Sequence, residues 1–307
     1  MLGALLALGF AAAMGSGTVI VRRGVLRISS RFMTSISIFS GPPFFLLVVS
    51  ITGDIFRMGQ FLWQSYLFFA LSGILHFALG RNFGTRAIQL IGSTRTQTVV
   101  GLSFIVSIIL ALIVLKETVT VLMVCGILLA LIGPLIIVLK EPTVDSNAQS
   151  ELTSQGAEID HRTLYMGYLY GVSAALCWGL TPILIKFGLE HGGPPLVGSF
   201  VAYLAASIVI IPSVFLSRDY RKEMLTADRK SLRLAVLSGL CANIGHMLRY
   251  LALLFTSVIV VSIMAQTIYI WVLLFSFIFN RKVESFTRWV LLGNVLLFIG
   301  ATLALIP

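Results

Sequence analysis

One stretch of the chain occurs twice, and it limits the fold more than any other feature. From Glu117 it reads ETVTVLMVCGILLALIG, ending at Gly133; from Glu284 it reads ESFTRWVLLGNVLLFIG, ending at Gly300. Glu117 with Glu284, Thr120 with Thr287, Gly126 with Gly293 and Gly133 with Gly300 all fall at an offset of 167. A second echo, at an offset of 164, aligns Gly3, Ala11, Gly15, Arg22 and Gly24 with Gly167, Ala175, Gly179, Lys186 and Gly188. Apolar helices share a small alphabet, so one such match is weak. Two in the same order and at nearly one offset argue for a unit of half the chain present twice.

The unit is built for lipid. Of 307 residues, 58% are hydrophobic and 11% charged, which excludes a soluble globular domain. Apolar runs of about 18 residues or more recur, the length a helix needs to cross a hydrocarbon core of roughly 30 Å. They do not alternate with period two, so barrel strands are excluded, and a helix is the other structure that satisfies its own backbone in lipid. In a soluble protein a net charge of +10 would suggest nucleic acid. Here the basic residues fall mostly between apolar runs, where topology accounts for them and no nucleic-acid partner is implied. Cys125, Cys177 and Cys241 lie inside apolar runs without close-spaced partners, so no disulfide or metal framework is indicated.

The expected fold is an all-α polytopic membrane protein with ten spans. The first repeat, residues 1–139, holds spans near Leu2–Val21, Phe32–Ile51, Phe61–Arg81, Gly92–Leu115 and Thr120–Leu139. The first could be read as a signal peptide, but it has no basic leader and its register is echoed at Gly167. Residues 140–163 are a polar linker without apolar periodicity. The second repeat, 164–307, starts a sixth span near Leu164 and continues near Leu196–Leu216, Leu234–Leu254, Ser257–Phe279 and Phe286–Ile306, with a basic loop over 217–233. Five is odd, so the second repeat enters the membrane in the opposite sense, around a central cavity. Odd-numbered loops carry 18 of the 22 Lys and Arg. That bias places them in the cytoplasm and both termini outside, in a cell (plasma or inner) membrane.

Trp178-Gly179 followed by Lys186, and the segment GTRAIQLIGSTRTQTVVGLSFIVSIILALIVLKETVT over 84–120, resemble the EamA-type repeat of the drug/metabolite transporter superfamily. The shared pattern is a small-residue turn with Gly-x-x-Arg, an apolar helix, Leu-x-Glu with Thr, then two spaced glycines. The resemblance covers nearly all of the chain outside the linker. It implies ten helices, alternating access between two halves, and a small-molecule cargo that ranges over the superfamily from amino acids to nucleotide sugars and drugs. This chain departs from the pattern at Met14-Gly15, where Trp-Gly is common, and at Arg22, where Lys is. Phe104 and the region of Tyr269 and Trp271 stand where the family commonly has proline, which removes the residue on which a kink would rest.

Polar residues inside lipid are costly and mark candidate function. Ser93, Thr96, Gln97, Ser103 and Ser107 share one arc of the fourth span, and Ser262, Gln266, Tyr269 and Ser276 share one in the ninth. Serines alone are better explained by helix packing. Gln97 and Gln266 carry the case for cavity lining, because a buried primary amide needs several partners. Asn243, His246 and Tyr250 share a face of the eighth span, Ser72 and His76 one of the third. The substrate-binding candidates are therefore Gln97, Gln266, Tyr269, Ser262, Asn243, His246, His76 and Trp178. A lone histidine is more often a satisfied core residue; two in corresponding spans are also candidates for proton coupling. Lys186, Glu117 and Glu284 are structural or gating candidates, each glutamate placed to cap the helix that follows it.

No Asp or Glu lies in the middle of a span, which disfavours a cationic drug exchanged on a carboxylate. A small polar metabolite, neutral or anionic, fits the lining better. An enzyme or lipid-handling protein on the same scaffold would need an acid/base pair, a nucleophile constellation or a metal site, and none is apparent. No ATP-binding signature occurs and no cofactor is implied, so a secondary transporter, exporter or permease, is the expected function.

Overall fold

The computed structural model describes residues 1–24, 28–140, 161–279 and 287–305. Of the candidate residues, Glu284 and the side chain of Gln97 fall outside what it describes, as do residues 141–160 of the linker. The described residues are helical, with no strand among them. In chain order they form α1 (Leu2–Gly24), α2 (Ser30–Phe39), α3 (Gly41–Ile51), a 3-10 turn (Asp54–Gln60), α4 (Trp63–Gly73), a π-helical segment (Ile74–Gly80), α5 (Arg81–Val100), α6 (Leu102–Ile113) and α7 (Val121–Lys140). The second half holds α8 (His161–Glu190), α9 (Pro195–Phe215), α10 (Arg218–Thr226), α11 (Arg229–Phe255), α12 (Val258–Gln266), α13 (Ile268–Phe279) and α14 (Arg288–Leu303).

Six helical stretches among these are long and apolar enough to cross a membrane: Leu2–Val21, Arg31–Ile51, His161–Glu190, Pro195–Pro212, Arg229–Phe255 and Val258–Ile278. A seventh joins Asp54–Gln60 to Trp63–Ile91 through a bend of 117°. Leu102–Ile113, Val121–Ile136 and Arg288–Leu303 are apolar but shorter. At 1.5 Å per residue α6 is only about 18 Å long, well short of the hydrocarbon core. It continues a leg that begins before Gly101. Ile91 packs on Gly167 and Ala87 on Gly171, yet Val99 returns to Gly171 and Val106 reaches Gly179. The chain therefore reverses along α8 between Ile91 and Val99, where the sequence reads Gly92-Ser93-Thr94-Arg95.

Local chemistry sets the breaks. Pro42 and Pro43 occupy the first positions of α3, so the helix restarts there after Ser40. Ser29 and Ser217 cap α2 and α10 through their hydroxyls. The 217–233 stretch, expected as a basic loop, is thus partly helical, because Ser217 caps it and Tyr220 buries its ring against Phe32 at 5.0 Å. The linker ends earlier than expected, with α8 beginning at His161. The fourth and ninth spans break even without those prolines. One breaks at Gly101 and the other at Thr267, whose hydroxyl and amide both turn back to the Met264 carbonyl, at 2.7 and 3.0 Å.

The two halves interleave. α1 lies along α11 and α13, α8 along α4, α5 and α6, and α3 and α4 along α9. α7 crosses α14 in antiparallel sense: Gly126 meets Gly300, and Gly133 meets Gly293. The large core between them gathers Phe104, Ile108, Ile183, Ile185, Leu253, Ile259 and Leu297, from both repeats.

Candidate substrate-binding site

A cavity of about 460 Å³ opens among α2, α5, α8, α9 and α10. Arg31, Thr34, Arg81, Asn82, Arg86 and Trp178 line it, and Phe77 forms part of its wall. A smaller cavity of about 190 Å³ lies between α1, α2 and α11, and Thr34 and Arg81 belong to both. Among the described residues no Asp or Glu lines either one. Arg86 is exposed and reaches Gln89 at 3.4 Å. Arg81 is partly buried, with its guanidinium 5.7 Å from the centre of the Phe77 ring. Three arginines give the lining its positive charge; Arg31 and Arg86 are exposed, and Arg81, being partly buried, is screened less by water and salt.

Behind Phe77 lies a buried polar cluster. The rings of His76 and His246 are 5.0 Å apart, edge to face, and Phe77 lies 4.7 Å from the first and 4.9 Å from the second. Tyr203 closes the group at 4.3 Å from Phe77 and 5.9 Å from His246. Trp178 donates its indole N–H to the His76 carbonyl at 3.0 Å, which ties α8 to the π-helical segment. On α11, Asn243 donates to Ser40 at 3.1 Å, Tyr250 shares a hydrogen bond with Ser72 at 2.9 Å, and Arg249 lies 5.5 Å from the Phe10 ring centre. The structure therefore brings His76, His246, Asn243 and Trp178 into one neighbourhood.

It does not bring the ninth-span candidates there. Ser262 and Gln266 on α12 and Tyr269 on α13 line neither cavity. Tyr269 packs against the large apolar core instead. Thr96 does line the larger cavity. Ser107 donates to the Gly179 carbonyl at 2.9 Å, a packing bond between α6 and α8.

Two charged side chains bond to helix ends away from these cavities. Lys186 donates to the carbonyls of Leu253 and Thr256, at 3.0 and 3.4 Å, where α11 ends. Glu117 accepts from the amides of Val258 and Ile259, at 2.7 and 3.0 Å, where α12 begins. A cation on the carbonyl end and a carboxylate on the N–H end are the favourable pairings with the helix dipole. The expectation that Glu117 caps the helix following it is corrected: its carboxylate serves a helix of the other repeat. Thr120 caps α7 itself, at 3.3 Å from the Met123 amide, as Thr287 does α14 at 3.5 Å from Val290.

Sequence reasoning missed Arg81, Arg249 and Tyr203. The charge count places Arg81 with the odd-numbered loops and leaves Arg249 inside the eighth span, and neither stood out as a site residue. The signal for Arg249 was present, an arginine inside the apolar run LCANIGHMLRYLALLF.

A crystal structure of a protein 13% identical in sequence superposes with a TM-score of 0.71 over 97% of this chain and 95% of its own. At that identity the likeness establishes the fold alone. Comparison with curated proteins finds no match. The model of the EamA-like transporter family matches residues 1–139 and again 165–306. Carrying two copies of that unit on apolar helices, this multi-pass membrane chain belongs to the EamA-like transporter family, within the drug/metabolite transporter superfamily.

Proposed function

We propose that the protein is a secondary transporter, an exporter or permease of the cell membrane, that carries a small anionic metabolite. The observation that supports this is the cavity of about 460 Å³ lined by Arg31, Arg81 and Arg86, with no acidic residue among its described lining. A buried or half-buried guanidinium needs a counter-charge, and a carboxylate or phosphate matches its fork with paired hydrogen bonds. A cation entering the same space would meet uncompensated repulsion. Of the two substrate classes compatible with the sequence, the arginines favour the anionic one over the neutral.

In this reading the ten apolar segments all cross, the five-helix units are inverted, and the repeats rock against each other around Trp178 and the His76–His246–Asn243 cluster. The cavity opens beside Arg31 and Ser217, in loops that the charge bias assigns to the cytoplasm. Glu117 bridges the two repeats away from the cavity and is the contact that must break for the alternate state, while Lys186 ties α8 to α11 within the second repeat. Gln266, Ser262 and Tyr269, which line neither cavity here, would approach the substrate only in that second state.

Thermal unfolding of the detergent-purified protein tests the substrate class. A ligand that binds only the folded state adds about 2.7 kcal/mol of stability at a hundred times Kd and so raises the melting temperature. Organic acids, sugar phosphates and nucleotides are expected to stabilise the wild type and to lose that effect in Arg81→Gln. A lipophilic cation as the strongest stabiliser would overturn the proposal.

A further inference from the structure

The cluster behind Phe77 is more than the back wall of the cavity. Four atoms in or beside it that can donate are buried without a hydrogen-bond partner: His76 Nδ1, Tyr203 OH, His246 Nε2 and Arg249 Nε. Tyr203 and His246 are 1% and 3% exposed. A buried polar atom left unpaired costs free energy, and most are paired in folded proteins. Isolated exceptions are common enough; four in and beside one knot of rings, contributed by the π-helical segment, α9 and α11, point to a ligand that completes them. Arg249 adds the charge, and among the described residues no carboxylate pairs with it or with Arg81.

Phe77 separates this cluster from the cavity. It is 3% exposed yet forms cavity wall on one side, while its ring contacts His76, Tyr203 and His246 on the other. It sits on the π-helical segment Ile74–Gly80, flanked by α-helix on both sides. A π turn holds one residue more than an α turn, and such turns gather at functional sites. Relaxing the segment to α geometry shifts its register by about one residue, which is roughly 100° of rotation. His76 and Phe77 would turn together, and the partition would leave the wall.

We propose that His76, Tyr203, His246 and Arg249 form an occluded anion subsite, into which a carboxylate or phosphate passes from the arginine-lined cavity when Phe77 turns aside on the π-helical hinge. This rests on the anionic reading of the cavity. Arg81, which touches both Phe77 and the cavity, is the handover residue.

The test uses the full chain with Cys125, Cys177 and Cys241 replaced by alanine, and one reporter thiol at a time. His246→Cys reports on the subsite, Asn243→Cys does so if the first variant is not monodisperse, and Asn82→Cys reports on the cavity. Each is reacted with sulfonatoethyl methanethiosulfonate, an anion, and with its trimethylammonium counterpart. Adding Phe77→Ala is expected to speed labelling at position 246 about tenfold or more. The sulfonate is expected to react about tenfold faster than the cation, the preference disappearing in Arg249→Gln. Labelling at 246 and 243 that Phe77→Ala leaves unchanged, or equal rates for the two reagents there, overturns the subsite. A sulfonate preference at position 82 alone would leave the cavity reading intact. Equal rates at position 82 would overturn the cavity reading instead.

Discussion

Gly126 and Gly300 lie backbone to backbone, so that a Cβ on either would stand 2.7 or 2.8 Å from the other's carbonyl oxygen. Gly133 meets the carbonyl of Gly293 in the same way, at 2.6 Å. These are the four glycines of the duplicated stretch, and the first of each copy meets the second of the other. Seven residues are about two helical turns, so both glycines of a copy share one face. Antiparallel helices related by a two-fold axis then close both contacts with a single sequence motif. In lipid, where apolar burial does not drive helices together, close approach at small residues is the main source of attraction.

Replacing Gly126 or Gly300 with alanine sets two effects against each other. Alanine favours the helix by about 1 kcal/mol over glycine. Forcing a methyl against a carbonyl in a packed interface costs about 1–3 kcal/mol, and main chain cannot swing away as a side chain can. The steric cost wins. Either substitution should lower the melting temperature in detergent, and Gly126→Leu should lower it further. A rise for Gly126→Ala would show that α7 and α14 do not touch there.

Glu117 accepts two amides of a helix in the other repeat, and its substitution separates capping from charge. Glu117→Ala removes both bonds and should cost about 1–2 kcal/mol, the size of a lost helix cap. Glu117→Gln keeps one acceptor oxygen and should cost less. Hydrogen exchange should quicken at Val258 and Ile259 in the alanine variant while Val121 to Val124, capped by Thr120, keep their protection. Faster exchange in α7 instead would return Glu117 to its own repeat.

The duplicated glycines were legible in the sequence because helix packing in lipid is local and periodic: spacing alone puts Gly126 and Gly133 on one face. The same holds for Thr120 and Thr287, whose bonds reach only three residues ahead. Glu117 was legible as a cap, but not whose, since the partner lies 141 residues away and no local pattern encodes it. Asn243 and His246 were found by shared helix face. Arg81 was lost because its helix runs on past the expected span end, which turned an inward residue into an assumed loop charge. The ninth-span stripe of Ser262, Gln266 and Tyr269 is divided by the break at Thr267, which periodicity did not show, nor can periodicity say which neighbour a face meets.

Glu223 on α10 binds both the amide and the hydroxyl of Ser29, the latter at 2.6 Å, and so latches the second repeat onto the first residues of α2. Tyr220, one turn earlier, is buried beside the same helix and lines the cavity mouth. Glu223→Gln weakens a charge-assisted pair to neutral hydrogen bonds, which are about half as strong. Limited trypsin digestion should then cut faster after Arg221 and Lys222, with the melting temperature nearly unchanged because the contact is exposed. Equal cleavage rates would show that packing of Tyr220 on Phe32 alone holds α10.

Arg81 and Arg86 both line the cavity, and their burial predicts different behaviour. Arg86 is exposed, so its attraction for an anion is screened beyond about 10 Å at 0.1 M salt and is worth at most about 1 kcal/mol. Arg81 is partly buried between the two cavities, where water and salt reach it less. Arg86→Gln should therefore weaken binding of the stabilising anion less than tenfold, with the loss fading as salt rises to 0.5 M, a condition where the Debye length is only about 4 Å. Arg81→Gln should weaken it more than tenfold, which is about 1.4 kcal/mol, and the loss should persist at high salt. Titration of the melting temperature with ligand at two salt concentrations checks both. Equal losses that vanish together at high salt would mean that the cavity collects anions through its overall field, with no guanidinium contacting the substrate directly.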